Sequence, residues 1–205
     1  MINNKTINLA RRFRGLLPVV IDVETSGLNP KTDALLEIAA VTLMLNEEGK
    51  LGRRSTHAYH VEPFPEAHFE KEALEITGID PFYPLRFAIP EKQVLHRIFS
   101  MVAKELDETS CYRAVLVGHN AWFDLSFILQ AASRVSIHHH PFHTFTTFDT
   151  ASLAAVALGE TVLARAVRRA RIPFDIEKAH SAIYDAERTA DLFCYIFNRF
   201  TLFKD

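Results

Sequence analysis

Apolar and polar positions along this chain follow two periods, one typical of buried strands and one typical of amphipathic helices. The first clear element is a run of β-branched residues, Val19, Val20, Ile21 and Val23, which favours an extended backbone packed on both faces. The predicted strands cover residues 17–24, 35–43, 56–61 and 114–118, and the predicted helices cover residues 4–14, 71–76, 91–108, 122–134, 161–170 and 180–199, with one more helix capped near Asp149 or Thr150.

The order of these elements is typical of a mixed α/β fold. Turn-forming residues at 46–49 separate the second and third strands, which predicts an antiparallel hairpin. Residues 81–90 are predicted to be irregular, and after them strands alternate with helices. Because no repeat, low-complexity tract or linker interrupts the pattern, we predict a single domain over residues 1–205, with a basic segment at 1–15.

Composition fits one ordinary globular domain. Of the 205 residues, 48% are hydrophobic and 23% are charged. The amino terminus lacks the apolar core of a signal peptide, and no uncharged apolar run approaches the ~18 to 20 residues of a membrane span. Cys111 and Cys194 lie in none of the metal-binding spacings and indicate small buried residues in a reducing compartment. We therefore expect a cytoplasmic protein.

Positive charge is concentrated in two segments, although the net charge is only −2. Such patches suit a protein that holds phosphates beside a carboxylate centre, and each alone fits a solvated helix face equally well. Residues 1–15 contain Lys5, Arg11, Arg12 and Arg14 without an acid, and residues 161–171 contain Arg165, Arg168, Arg169 and Arg171 without an acid.

The first strand delivers two carboxylates to its carboxyl end. Asp22 and Glu24 are two residues apart, so their side chains lie on the same side of the strand. Two like charges held side by side repel, and a divalent metal ion bound between them usually neutralises this repulsion. The alternative is a strand end whose acids meet solvent.

Two later segments place further candidate catalytic side chains at the starts of predicted helices. Asp124 lies just inside the helix that follows the strand at 114–118, and His180 and Asp185 lie at the start of the last helix. An acid early in a helix is ordinarily a surface residue that complements the helix dipole. The three segments together indicate one site.

With these three segments the chain resembles the DEDDh exonucleases, which have an RNase H-like fold. The related Tyr-type enzymes carry Tyr four residues before the last Asp, where this chain has Ser181, so the His subtype fits. The resemblance runs nearly end to end. Further segments that carry it are Arg12-Phe13-Arg14-Gly15, residues 32–40, His60-Val61-Glu62-Pro63-Phe64, Gly78-Ile79-Asp80-Pro81 and Phe148-Asp149-Thr150.

The resemblance implies a two-metal site for phosphodiester hydrolysis. Two ions about 3.5 to 4 Å apart neutralise charge on the attacking and leaving oxygens, and Mg²⁺, or Mn²⁺ in its place, suits oxygen ligands. Asp22 is then implied to bridge both metals, with Glu24, Asp124 and Asp185 completing the shells. His180 is implied to be the general base, which requires a neutral imidazole.

The resemblance also implies a substrate surface that stacks on the terminal bases of a 3′ end. Phe123 and Phe145 match two stacking positions, and Glu72 matches a polar base contact. Leu28 and Ile76 stand where the family has aromatic residues, which predicts altered affinity for terminal bases. Without the resemblance, Phe123 and Phe145 would be interpreted as core residues.

A homodimer is a further implication of the resemblance. Arg12, Arg14 and Arg113 match a basic patch that feeds RNA to the active site of the other subunit. Asp107 stands where the family has Lys, which weakens the patch.

Other polar residues have simpler interpretations. The histidines at 138–140 and His143 are interpreted as a solvated loop rather than a Zn²⁺ site, because no second ligand pair lies at the usual spacing. Glu37 is interpreted as a hydrogen-bonded strand residue rather than a fifth catalytic acid. Asp149 is interpreted as a helix cap, or as a group that supports the metal ligands, rather than as a ligand itself.

The leading hypothesis is a metal-dependent 3′–5′ exoribonuclease that trims stable RNAs such as tRNA, with single-stranded DNA as a second substrate. One rival is a DNA proofreading or repair exonuclease. A rival of another class is a single-strand nucleic-acid binding module without activity.

Overall fold

The computed structural model describes residues 8–200. Within them the chain forms seven α-helices and six strands. The helices are α1 (Leu9–Arg12), α2 (Lys71–Thr77), α3 (Glu91–Thr109), α4 (Trp122–Arg134), α5 (Thr150–Leu158), α6 (Leu163–Arg169) and α7 (Ala182–Arg199). The strands are β1 (Leu16–Thr25), β2 (Leu35–Leu45), β3 (Leu51–Glu62), β4 (Ile89–Pro90), β5 (Arg113–Gly118) and β6 (Phe142–Asp149).

All six strands form one mixed sheet in the order β4-β3-β2-β1-β5-β6. β1 pairs antiparallel with β2, β2 pairs antiparallel with β3, and β5 and β6 continue parallel to β1. The predicted hairpin and the predicted RNase H-like mixed sheet are therefore confirmed. β1 is central, and Val19, Val20 and Ile21 are fully buried because helices cover the sheet on both faces.

Two salt-bridge pairs on β3 show how the helices cover the sheet. Arg53 bonds to Glu187 and Asp191 of α7, whereas Arg54 bonds to Glu105 and Glu108 of α3. Because neighbouring side chains on a strand point to opposite faces, α3 and α7 lie on opposite sides of the sheet. The start of α7 reaches the sheet edge where β1 ends.

Parallel pairing places the ends of β1, β5 and β6 along that same edge. β1 ends at Thr25, β5 at Gly118 and β6 at Asp149, and α4 and α5 begin directly after the last two. This edge therefore collects the first-strand acids, the start of α4 and the start of α7.

Some predicted boundaries differ from the structure. The third strand begins at Leu51 because a register shift at Thr42/Leu43 lets its pairing with β2 continue. The segment predicted to be irregular contains a 3₁₀ turn, Pro84–Arg86, and the edge strand β4. Within the described residues the basic amino-terminal helix is only α1; Lys5 and the rest of residues 1–7 lie outside them.

Between residues 8 and 200, no single helix is long and apolar enough to cross a membrane. Only α5 and α6 taken together, as a pair bent by 42°, have the length and apolar composition of a membrane span among the described residues.

Candidate active site

Three acids from opposite ends of the chain come together where β1 ends. Asp22, Glu24 and Asp185 each place one carboxylate oxygen within 4.8 Å of the others. Asp22 and Glu24 share one face of β1, and Asp185 lies in the first turn of α7. The predicted same-side placement of the two strand acids is what allows Asp185 to meet both.

Asp124 joins this group through the backbone of β1. Its Oδ1 accepts a hydrogen bond of 3.1 Å from the N–H of Val23, the residue between the two strand acids. Asp124 lies in the first turn of α4 and is only 4% exposed. A Cβ at Gly118 would lie 3.0 Å from Asp124 Oδ2, so glycine there permits the close approach of β5 to this carboxylate.

The four acids make ionisation of one another unfavourable, because their negative charges would lie close together at a buried site. Burial, followed by the charges of Asp124, Glu24 and Asp185, raises the pKa of Asp22 well above its ordinary value. Burial and the neighbouring acids raise the pKa of Glu24 to about 8. Burial likewise raises the pKa of Asp124 to about 8, against the opposing effect of its backbone hydrogen bonds, and raises the pKa of Asp185. A cation among these oxygens would reverse this penalty.

One buried carboxylate oxygen in the cluster is evidence that a cation binds there. Asp185 Oδ2 accepts a hydrogen bond of 2.9 Å from the backbone N–H of His180, whereas its buried Oδ1 has no hydrogen-bond partner among residues 8–200. Buried polar atoms normally have a partner. A site with only carboxylate oxygens suits a hard divalent ion, so the residues fit a divalent metal. The cluster and the family model together indicate divalent-metal dependence.

His180 lies on the turn that precedes α7, rather than in its first turn as the predicted helix start at 180 required. Its backbone is left-handed, with φ of 63°, and its N–H bond to Asp185 stabilises this conformation. The helix therefore starts at Ala182, and the His180 side chain is exposed. It lines a cleft of about 340 Å³ with Glu37, His60, Tyr83 and Arg86 among its other walls.

Glu37 connects β2 and β3 to the start of α7. Its Oε1 lies 2.9 Å from His60 Nδ1, and its Oε2 accepts a hydrogen bond of 3.4 Å from the N–H of Ala182. The interpretation of Glu37 as a hydrogen-bonded strand residue is confirmed. Sequence reasoning missed His60, whose signal was its position opposite Glu37 in the hairpin.

A second acidic group lies beside this site. Asp33, His68 and Glu70 also place ligand atoms within 4.8 Å of one another. Asp33 is buried and accepts hydrogen bonds from the N–H of Asn29 and the hydroxyl of Thr32, so it organises the turn after β1.

Most of the predicted substrate residues have exposed side chains. The exposed fractions are 73% for Leu28, 61% for Ile76 and 90% for Phe145, and Glu72 is exposed on α2. Phe145 is therefore not a core residue. Phe123 is half-buried, and its ring centroid lies 5.0 Å from that of Phe127.

Two of the predicted basic-patch residues contact the protein itself. The Arg12 guanidinium lies 4.3 Å from the centre of the Phe197 ring, and Arg113 donates a 2.7 Å hydrogen bond to the carbonyl of Phe142. Arg14 is exposed. Asp107 is exposed in the carboxyl-terminal part of α3.

The histidine-rich segment has no metal geometry in the part of the chain that the structure describes, where only the two groups above bring such ligands together. His138 and His139 are exposed, as expected of a solvated loop. His140 instead packs against Phe99, and His143 lies in β6 and accepts hydrogen bonds from the N–H groups of Phe145 and Thr146.

Asp149 is confirmed as a cap. Its side chain accepts hydrogen bonds from backbone N–H groups at the start of α5 and from Asn120 N. It thereby joins the start of α5 to the turn that precedes α4.

Comparison with known sequences gives a consistent result. A family model for the RNase T exonuclease domain matches residues 19–193. Ribonuclease T of Marinobacter nauticus is 56% identical over 197 residues, covering 96% of this chain and 89% of that protein. Ribonuclease T of Salmonella typhimurium is also 56% identical, covering 96% of this chain and 92% of that protein.

Comparison with solved structures identifies the same kind of fold. E. coli exonuclease I in complex with a dT13 oligonucleotide matches with a TM-score of 0.68 at 19% identity, covering 89% of this chain and 41% of that one. A zinc-bound form of the exonuclease I–single-stranded DNA complex matches with a TM-score of 0.67 at 19% identity, covering 89% and 40%. The chain spans about two fifths of exonuclease I.

Proposed function

We propose a substrate and a mechanism from one premise: the chain belongs to the ribonuclease T family of exonucleases. It is a 3′–5′ exoribonuclease, a hydrolase of phosphodiester bonds in nucleic acid. The proposed substrates are the single-stranded 3′ ends of structured RNAs, including tRNA during turnover and maturation, with single-stranded DNA as a second substrate. Relatives named ribonuclease T support the RNA assignment, and exonuclease I bound to oligonucleotides supports a single-stranded substrate.

The observation that carries this proposal is the carboxylate cluster at the end of β1. Asp22, Glu24, Asp124 and Asp185 are the residues that would hold two Mg²⁺ ions, which Mn²⁺ could replace. When bound, the ions supply positive charge to the attacking and leaving oxygens of the phosphodiester. Two observations support this ligand set: the acids raise the pKa values of one another, and Asp185 Oδ1 has no hydrogen-bond partner within the described part of the chain.

His180 is the proposed general base. Its exposed imidazole, in the neutral form, accepts a proton from the water that attacks the terminal phosphorus. The 3′ oxygen of the preceding nucleotide leaves with a proton, and a nucleoside 5′-monophosphate is released. The backbone bond from His180 to Asp185 supports this role, because it holds the turn that carries His180 beside one acid of the cluster.

The exposed apolar residues near the site are proposed to hold the terminal nucleotides. Phe123 and Phe145 stack on bases, Glu72 makes a polar base contact, and Leu28 and Ile76 supply apolar contact in place of aromatic rings. The large exposed fractions of Phe145, Leu28 and Ile76 support this assignment.

A homodimer is part of the proposal. Arg12, Arg14 and Arg113 of one subunit are proposed to guide RNA toward the active site of the other. Beside Arg12 lies an apolar groove of about 430 Å³, whose walls include Phe148, Phe197 and Val156. Val156 is 89% exposed, so the groove leaves an apolar surface that a second copy would cover.

We further propose that residues 1–205 act as one exonuclease domain in the cytoplasm. Cys111 and Cys194 are both free and buried, which suits a reducing compartment.

Digestion of RNA hairpins with single-stranded 3′ tails tests the function. With Mg²⁺ we expect successive loss of 5′-monophosphates from the tail, and with a chelator no release. A matched set of DNA oligonucleotides separates the RNA enzyme from a DNA repair enzyme, which would degrade DNA faster. Binding of single strands without nucleotide release in Mg²⁺ or Mn²⁺ would overturn the enzyme assignment in favour of a binding module.

A further inference from the structure

The segment at residues 81–87, here called the apolar loop, exposes four large apolar side chains. Phe82 is 72% exposed, Tyr83 51%, Leu85 62% and Phe87 80%. Large apolar side chains exposed singly are common on protein surfaces, whereas four within six residues form a patch that usually marks a contact surface.

The apolar loop has a fixed conformation. The Arg86 guanidinium donates hydrogen bonds to the carbonyl of Pro81 at 3.0 Å and to the carbonyl of Leu36 at 2.8 Å. The Asp80 side chain accepts a 3.0 Å hydrogen bond from the N–H of Phe82. These bonds tie the loop to itself and to the start of β2, so its rings are exposed on an ordered backbone.

Phe87 is held in a conformation that its side chain disfavours. Its φ is 51°, in the left-handed region where bulky residues are uncommon, yet the ring is 80% exposed. The folded protein therefore gains little packing in return for this strain. Strain of this kind is typical of functional positions.

The apolar loop is continuous with the candidate active site. Tyr83 and Arg86 line the same cleft as His180 and Glu37. Ile76, one of the proposed terminal-base contacts, lies in α2 just before the loop. The apolar loop therefore borders the cleft that the His180 side chain lines.

Three of the four exposed side chains are aromatic, and the one cation in the loop, Arg86, is already bonded to backbone carbonyls. A surface with exposed rings and little free charge favours bases over phosphates. Base–aromatic stacking needs an open base face, which a duplex hides and a single strand presents. A rigid stacking surface also loses little entropy on binding.

We propose that the apolar loop is an additional stacking surface for unpaired bases of the 3′ tail, beyond the terminal nucleotides held at the active site. This inference rests on the proposed function. If the apolar loop stacks on these bases, RNAs with longer single-stranded tails should have a lower KM than RNAs with short tails.

Tail-length kinetics test the proposal. KM is measured for RNA hairpins with 3′ tails of about two and about eight unpaired nucleotides, and in the wild type we expect KM to be about tenfold lower for the longer tail. Phe82→Ala/Phe87→Ala should lose most of this gain. Met44→Ala, at an exposed apolar side chain near the other end of β2, should keep it.

Phe87→Gly separates binding from folding. Glycine adopts a positive φ readily, so this variant should melt at or above the wild-type temperature while its KM for the long tail rises. Phe87→Trp, which keeps a stacking ring, should retain the long-tail KM. The inference would be overturned if Phe82→Ala/Phe87→Ala and Phe87→Gly gained as much from the longer tail as the wild type does. It would also be overturned if the wild type gained nothing from the longer tail. Absence of nucleotide release from every tail in the wild type would instead refute the proposed function.

Discussion

Asp22 lies at the centre of the acid cluster: the charges of Asp124, Glu24 and Asp185 all raise its pKa. Asp22→Asn should lower hydrolysis by at least about 10²- to 10³-fold, the range for loss of one electrostatic contact in an active site. The fold should persist, because the change removes a repelling buried charge. Initial rates and thermal melting of the purified variant measure both effects.

The matched control for Asp22→Asn is Glu48→Gln, which neutralises an exposed acid whose partner is Lys50 in the β2–β3 turn. It should retain wild-type turnover. Normal turnover in Asp22→Asn would refute the metal-ligand assignment.

Leu28 is the proposed base contact that lies nearest in sequence to the first-strand acids, Asp22 and Glu24. Leu28→Phe should tighten binding of a 3′-terminal base by about fivefold or more, because stacking contributes about 1 to 3 kcal/mol per base. Fluorescence anisotropy of a single-stranded RNA with the catalytically inactive Asp22→Asn background measures the change. Met44→Phe adds an exposed ring at the far end of β2 and should have no effect; equal affinity of Leu28→Phe and its parent would mean that position 28 does not touch the base.

At the level of single residues, the sequence predicted the acids of the cluster but not the hydrogen bonds that position the turn before α7. The same-face placement of Asp22 and Glu24 follows from strand geometry, and the three-segment resemblance located Asp124, Asp185 and His180. The contacts of Glu37 with His60 and Ala182 join residues distant in sequence, so they depend on strand register and helix docking that local patterns do not contain.

Among the elements, the start of α7 depends on β2. Glu37→Ala removes the acceptor for the Ala182 N–H and should misplace the turn that carries His180. We expect kcat to fall by about 10- to 100-fold, the scale for small displacements of catalytic groups, with KM little changed. Glu37→Gln keeps an acceptor oxygen and should restore most of kcat. Steady-state kinetics of both variants measure this, and a loss confined to KM would contradict the positioning role.

Elements with strong periodicity were predicted closely, and those fixed by distant contacts were not. The predicted helix at 122–134 coincides with α4. β4 has only two residues, and its pairing with Val61 and Glu62 of β3 defines it. No strand was predicted at β6, although six of its eight residues are Phe or Thr, which favour strands; its pairing with β5 defines it.

For the whole molecule, the shared carboxylate cluster predicts that metal-free stability depends on pH. In the unfolded chain these carboxyls lose their protons near pH 4, whereas folded Glu24 and Asp124 keep them until about pH 8. The folded state therefore binds more protons between these values, and the free energy of unfolding falls as pH rises through them.

Melting temperatures of the chelated protein at pH 5 and pH 8 measure this effect. We expect the pH 8 value to be lower by at least about 4 °C, since 1 kcal/mol shifts the melting temperature of a domain of this size by about 2 to 4 °C. Saturating Mg²⁺ should raise the melting temperature most at pH 8, and Asp124→Asn should reduce the gap between the two pH values. Equal melting temperatures in chelator would contradict the electrostatic account.

The apolar groove beside Arg12 predicts the assembly of two copies. Val156→Asp places a charge on the exposed wall of the groove and should convert a dimer to a monomer in sedimentation experiments, because burying an unpaired carboxylate is costly. Digestion of tailed RNA should weaken in parallel. Val162→Asp, the same change at a half-exposed position outside the groove, should leave the dimer intact. A dimer that survives Val156→Asp would place the interface elsewhere.

The hydrogen bond from Ala182 to Glu37 joins residues 145 positions apart, and Asp185 must cross a similar separation to reach Asp22 and Glu24. During synthesis, the sheet and the first three acids emerge long before α7. A partly made chain that ends before His180 therefore lacks His180 and Asp185, two of the proposed site residues. The proposed site is therefore complete only after the last helix docks against the sheet, so the final step of assembly is also the step that completes the site.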